Sequence, residues 1–126
     1  MTDFWQRLAA APFRELLELT SDPDGCRVYL SRETWAHILD GHAGMVVYQD
    51  LLHLAISGPE RVEAEDPWRS VLYYYRRDPQ EQAKRITDPT LKCIIVIIRY
   101  IHPPEWRFAR TGVIRTAWSR RGMRRR

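Results

Sequence analysis

Two groupings in this 126-residue chain could do chemistry: the segment TWAHILDGH at 34–42, and RTAW at 115–118. The first holds His37 and His42, whose imidazoles, with an unperturbed pKa of about 6.5, can exchange protons near neutral pH. Two of them could supply a base and an acid. The second holds Thr116, whose hydroxyl can orient a phosphate oxygen, and Trp118, whose ring can stack on a base or pack in a core. A third grouping is VLYYYRR at 71–77. There, period-two alternation sends Leu72, Tyr74 and Arg76 to one face and Val71, Tyr73, Tyr75 and Arg77 to the other. An arginine beside a tyrosine on a sheet face suits a phosphate held through two hydrogen bonds, with the ring free to stack. Arg76 and Tyr74 are therefore candidates for phosphate and base. Each residue alone also fits an ordinary role: a surface histidine, a solvent-facing arginine, a half-buried tyrosine.

These groups need elements to hold them. Ser31 can cap a helix whose first turn carries Glu33, and Gly41 should end it. At about 100° per residue, His37 lies about 200° round from Trp35 while Ile38 and Leu39 fall near it, so His37 leaves the apolar face. His42 should sit just past the helix end, in a turn leading to the same cleft. Five-residue spacing across a helix break does not match the i, i+4 pair of helical zinc sites, and no metal or cofactor is expected. His53 and His102 read as structural. Before this helix, Phe4, Trp5 and Leu8, then Phe13, Leu16 and Leu17, follow helical spacing interrupted by Pro12, which predicts two short helical pieces. SDPDG at 21–25 is a turn, and 26–30 is β-prone. A second helix over 45–57 would place Val47, Leu51, Leu54 and Ala55 on one side. Strands follow at 61–64, 70–77, 91–101 and 112–118. Alternation in the last puts Ile114, Thr116 and Trp118 on one face and Val113, Arg115 and Ala117 on the other. Helices first and strands afterwards predict an α+β domain, with helices packed on a four-stranded antiparallel sheet and the apolar 91–101 strand central.

Composition sets the class. With 44% hydrophobic and 29% charged residues the chain reads as one globular domain, not a disordered one. Its expected parts are a helical extension at 1–25, a core at 26–119 and a basic tail at 120–126. The apolar run at 93–98 is far below the roughly 20 residues needed to cross a bilayer, so neither a membrane span nor a secreted precursor is expected. Cys26 and Cys93 lack any zinc-ligand spacing and read as reduced thiols of a cytoplasmic protein. Charge is strongly asymmetric. Residues 1–91 hold 10 Lys/Arg and 15 Asp/Glu, a net −5, whereas residues 92–126 hold 10 and one, a net +9. Such a cationic end draws polyanions, nucleic acid above all, or serves as a solubilising tail.

Taken in order, HIL-x-GH on a helix, a following helix ending in GPE, a YYR strand, a long apolar strand and a terminal TAW strand form a recognisable series. It resembles the phage and toxin families of the barnase, EndoU, colicin and RelE-like superfamily over about residues 27–119. The resemblance implies helices followed by a four-stranded antiparallel sheet and a metal-independent ribonuclease of toxin or phage-conflict type. Its functional positions carry over to His37, His42, Tyr74 or Arg76, and Thr116. Two departures stand out: Ala43 where a proline usually follows the second His, and a long insertion after Arg77 reaching about Pro89. The implied mechanism is attack of a ribose 2′-hydroxyl on the adjacent phosphate, with His42 as base and His37 as acid. Arg76 would stabilise developing charge and Thr116 would position the phosphate. Arg115, Arg120 and Arg121 would hold the RNA backbone. RNA is the expected partner, together with an antitoxin or immunity protein covering the cleft. The alternatives are a non-catalytic RNA-binding module and a protein-interaction domain on the same fold.

Overall fold

A computed structural model of the chain describes residues 2–101 and 110–123, with side chains from Phe4 onward. The elements are α1 (Thr2–Ala10), β1 (Leu16–Ser21), β2 (Arg27–Ser31), α2 (Arg32–Gly41), a 3₁₀ helix (Ala43–Leu51), α3 (Leu52–Ser57), β3 (Arg61–Ala64), β4 (Val71–Arg77), a 3₁₀ turn (Pro79–Glu81), β5 (Lys92–Ile101) and β6 (Thr111–Arg121). The fold is α+β. Its sheet, however, has six strands in the order β1-β2-β6-β5-β4-β3, and it is mixed because β2 runs parallel to β6. The expected four antiparallel strands form the β6-β5-β4-β3 part, with β5 between β6 and β4.

Of the two extra strands, β2 falls on the expected β-prone segment, whereas β1 comes from residues expected to be helical. Leu16, Leu17 and their neighbours form β1 instead, because hairpin pairing with 27–31 outweighs a short helical spacing. The hairpin is fixed at its turn. Asp22 Oδ1 accepts hydrogen bonds from the amides of Asp24 and Cys26, both at 2.9 Å, and Gly25 adopts φ +86°. The segment before the turn is packed into the domain: Phe4 and Leu8 of α1 and Leu19 of β1 lie in the main core. Arg120 and Arg121, expected in a basic tail, complete β6, and Met123 is buried.

α2 forms as its sequence predicts. Ser31 Oγ accepts from the Thr34 amide at 3.0 Å, Glu33 sits in the first turn, and the helix stops where the His42 amide meets the Ile38 carbonyl. The second helix differs from expectation. It is 3₁₀ over Ala43–Leu51, so Met45 and Tyr48, three apart, are buried while Val47 is 73% exposed.

The helices cover one face of the sheet, over Val28, Leu30, Leu72, Tyr74, Ile94, Val96, Ile98, Tyr100, Ile114 and Ala117. The other face carries a small second core of Tyr75, Leu91, Cys93, Ile95 and Met123, at the end of the sheet where β5 begins. A bulge in β6 sets the faces. Ile97 pairs with Thr116 but Ile98 pairs with Ile114, leaving Arg115 as the extra residue. Ile114 and Ala117 therefore both face the helices. Thr116 and Trp118 face away, so Ile114 does not share their face as strict alternation predicts.

Candidate nucleic-acid interface

The sheet face away from the helices is a grid that can be read from the pairing. One row runs Glu63, Tyr73, Ile97, Thr116; the next on one side runs Arg61, Tyr75, Ile95, Trp118; the next on the other runs Val71, Arg99, Val113, Tyr29. At about 4.8 Å per strand, Tyr73 and Thr116 stand about 10 Å apart across Ile97. Tyr29, Tyr73, Val113, Thr116 and Trp118 are half-buried and Arg99 is exposed. This part of the face is a mixed aromatic and polar surface, bounded on one side by the second core.

His42 reaches this surface at its edge. β2 pairs with β6 only through Val28 and Tyr29, so from Ile114 onward the β6 edge has no strand beside it, and α2 and the 3₁₀ helix run there instead. The His42 ring consequently lies 6.1 Å from the Trp118 ring, tilted by 32°. His42 is exposed, with imidazole on one side and indole on the other of a corner open to solvent. His37 is also exposed, and among the described residues it makes no hydrogen bond, ion pair or ring contact.

Cations rim the face. Arg99 and Arg115 are exposed, and among the described residues no carboxylate pairs with either. Arg120 lies on the same face as Trp118, its guanidinium 5.8 Å over the Tyr75 ring and its Nε donating to the Gly122 carbonyl at 3.0 Å. Arg121 is exposed and donates to the Thr90 carbonyl at 3.3 Å. Arg77 shares the face but is consumed structurally: Nε donates to Glu60 at 2.6 Å and Nη1 to the Lys84 carbonyl at 2.7 Å.

Two sequence candidates point the other way. Tyr74 is 2% exposed beneath the helices, its hydroxyl hydrogen-bonded to that of Tyr100, which donates to buried Asp22 at 2.6 Å. Burial pushes its pKa up to about 12, outweighing the Tyr100 hydrogen bond that favours ionisation. It offers no ring to a nucleobase. Arg76 lies on that same helix-covered face and donates from Nη1 to the Gly58 carbonyl, at the end of α3, at 2.5 Å. It holds a helix C-terminus. Arg76 and Thr116 therefore occupy opposite faces, and the four expected catalytic groups do not share one site.

The corresponding open-face residues are Tyr73 and Arg99. Arg99 left a signal in the sequence: apart from Lys92 at the start it is the only charge in KCIIVIIRYI, and it marks a side that meets water. Tyr73 left none, because both faces of VLYYYRR are aromatic. Of the other histidines, His53 is half-buried in α3, and burial lowers its pKa; His102 and the HPPE segment lie outside the described residues, as do Arg124, Arg125 and Arg126. Cys26 and Cys93 are unpaired, and burial raises both thiol pKa values, Cys93 to about 11. No helix among the described residues is long and apolar enough to cross a membrane. No family model, curated protein or solved structure matches the chain.

Proposed function

We propose that the chain acts on RNA at the corner of the open sheet face, as a metal-independent endoribonuclease of toxin or phage-conflict type. The observation that carries this reading is the exposed His42 ring held against Trp118, where the half-exposed aromatic residues and rimming arginines of the open face meet the β6 edge. A base stacked at Trp118 would bring its ribose 2′-hydroxyl toward an imidazole able to take the proton, and the freed oxygen would attack the adjacent phosphate. His37, exposed in α2 five residues before His42, takes the acid role, protonating the 5′-oxygen as the P–O5′ bond breaks. Arg99 and Arg115, with Thr116, replace Arg76 as the groups that meet the phosphate.

Single-stranded RNA should be cut in the presence of EDTA to leave cyclic-phosphate ends, with DNA of the same sequence intact. The rate should fall at least about 100-fold in the His37→Ala, His42→Ala double variant, the lower range for paired acid–base groups. Equal rates for wild type and variant overturn the assignment.

A second reading, RNA binding without cleavage, is favoured by the separation of Arg76 from Thr116. It predicts salt-sensitive binding with no products, weakened by removing Arg124, Arg125 and Arg126; a cut at Arg120 would take away part of β6 itself. In either reading the open face, with half-buried Val113 and Tyr73 and exposed Arg99 and Arg115, is the surface an acidic antitoxin or immunity protein would cover.

A further inference from the structure

Beyond Trp118 the sheet ends in two adjoining hollows. The smaller, about 200 Å³, is lined by Lys92, Ser119, Arg120 and Arg121. At about 30 Å³ per water it has room for a phosphate and part of its hydration. Its lining is three cations and a hydroxyl, with no carboxylate.

Pairing sharpens the electrostatics. Lys92 and Arg121 are direct cross-strand partners, so their Cβ atoms lie roughly 5 Å apart on one face, an arrangement of like charges that costs stability. Among the described residues neither is in a salt bridge. Lys92 Nζ instead sits 5.8 Å from the centre of the Tyr48 ring. An anion bound between them would relieve the repulsion.

Lys92 is also a wall of the larger hollow, about 360 Å³, which is lined by Val47, Tyr48, Leu51, Asp78 and Gln80 among others. Val47 and Leu51 give it an apolar side and Gln80 a side-chain amide. Its carboxylate is already engaged: Asp78 accepts from the Tyr48 hydroxyl at 2.5 Å and from the Gln80 amide nitrogen of the backbone at 2.8 Å. Burial opposes the charge on Asp78, but these bonds and the nearby Lys92 hold its pKa below the usual carboxylate range. Asp78 therefore stays ionised, its two oxygens taken up by Tyr48 and the Gln80 amide.

We propose that these hollows form a site for the phosphorylated terminal nucleotide of an RNA, phosphate against Lys92, Ser119 and Arg121 and nucleoside over Val47 and Leu51. This deepens the RNA reading and rests on it. A terminal phosphomonoester carries about −1.5 to −2 at pH 7, closer to what Lys92 and Arg121 can balance than the single charge of an internal phosphodiester. It also leaves the hollow in one direction only.

The test is fluorescence anisotropy with one eight-nucleotide single-stranded RNA in three forms: 5′-phosphorylated, 3′-phosphorylated and without terminal phosphate. One phosphorylated form should bind at least about tenfold tighter than the bare one, and which one names the end recognised. The preference should vanish in Lys92→Gln and in Arg121→Gln, exposed positions whose substitution leaves the fold intact by thermal melt. Trp118→Ala should weaken all three RNAs by the same factor. Equal wild-type affinity for all three overturns the terminal-phosphate site and leaves the RNA reading standing. Binding of none of them overturns both.

Discussion

Tyr74 and Tyr73 are adjacent in one strand, yet one is sealed beneath helices and the other lies on the open face of the same sheet. Tyr74 belongs to a hydroxyl chain, Tyr74 to Tyr100 to Asp22, that ties the β1–β2 turn into the core. Tyr73 donates to Glu65 at 3.2 Å near the sheet edge and keeps part of its ring in solvent. The contrast teaches that a tyrosine's role here follows from what covers it. On the covered face a hydroxyl must find a partner, and the ring is fixed for stability; on the other face Tyr73 stays half-buried while Tyr75, two residues on, is sealed in the second core.

The two faces should separate most widely in stability. Ile98→Ala, under the helices, should cost about 2–5 kcal/mol in urea unfolding, whereas Arg99→Ala beside it on the open face should stay within about 0.5 kcal/mol. Comparable losses at both would erase the distinction. RNA affinity should show the reverse order. Trp118→Ala should lose about 1–3 kcal/mol of binding to a single-stranded RNA, while Tyr74→Phe binds as wild type.

Tyr74→Phe should instead cost about 1 kcal/mol of folding stability, the scale of one hydrogen bond. It should also change the alkaline limb. The Tyr74 pKa, raised from 10.0 to about 12 in the folded state, gives stability that is full below pH about 10 and is lost as pH rises toward about 12. Unfolding followed across that window should be shallower in the variant than in wild type. The finest test is salt dependence. Each of Arg99→Gln and Arg115→Gln should reduce the slope of log affinity against log salt by about 0.7, and Arg76→Gln should leave it unchanged.

Much of this was legible in the sequence. The Ser31 cap, the end of α2 at Gly41, the four later strands and the central place of 92–101 follow from capping chemistry and β-branched runs. The partition of VLYYYRR into two sets was equally clear. Which set faced the helices was not, because both are aromatic and alternation assigns partners without assigning a side. The β1–β2 hairpin was missed for a different reason: Phe13, Leu16 and Leu17 satisfy helical spacing locally, and the pairing that overrides it involves residues up to fifteen positions away, as between Leu16 and Ser31. The parallel contact of β2 with β6 joins residues more than eighty apart, and no local pattern encodes it. His42 was placed correctly past the helix, but its neighbour Trp118 became evident only once the β6 edge proved free of a strand.

Arg115 gives the surface a parity. As the extra residue in the β5–β6 ladder, it sends Thr116 and Trp118 outward although Ile114 points inward. Were Arg115 paired with Ile97 in a regular ladder instead, every later partner would shift by one and the indole would turn toward the helical layer, exchanging it with Ala117. Reading frame, so to speak, exists at the level of pleats: the aromatic corner depends on one residue being looped out of the ladder, with every residue type untouched.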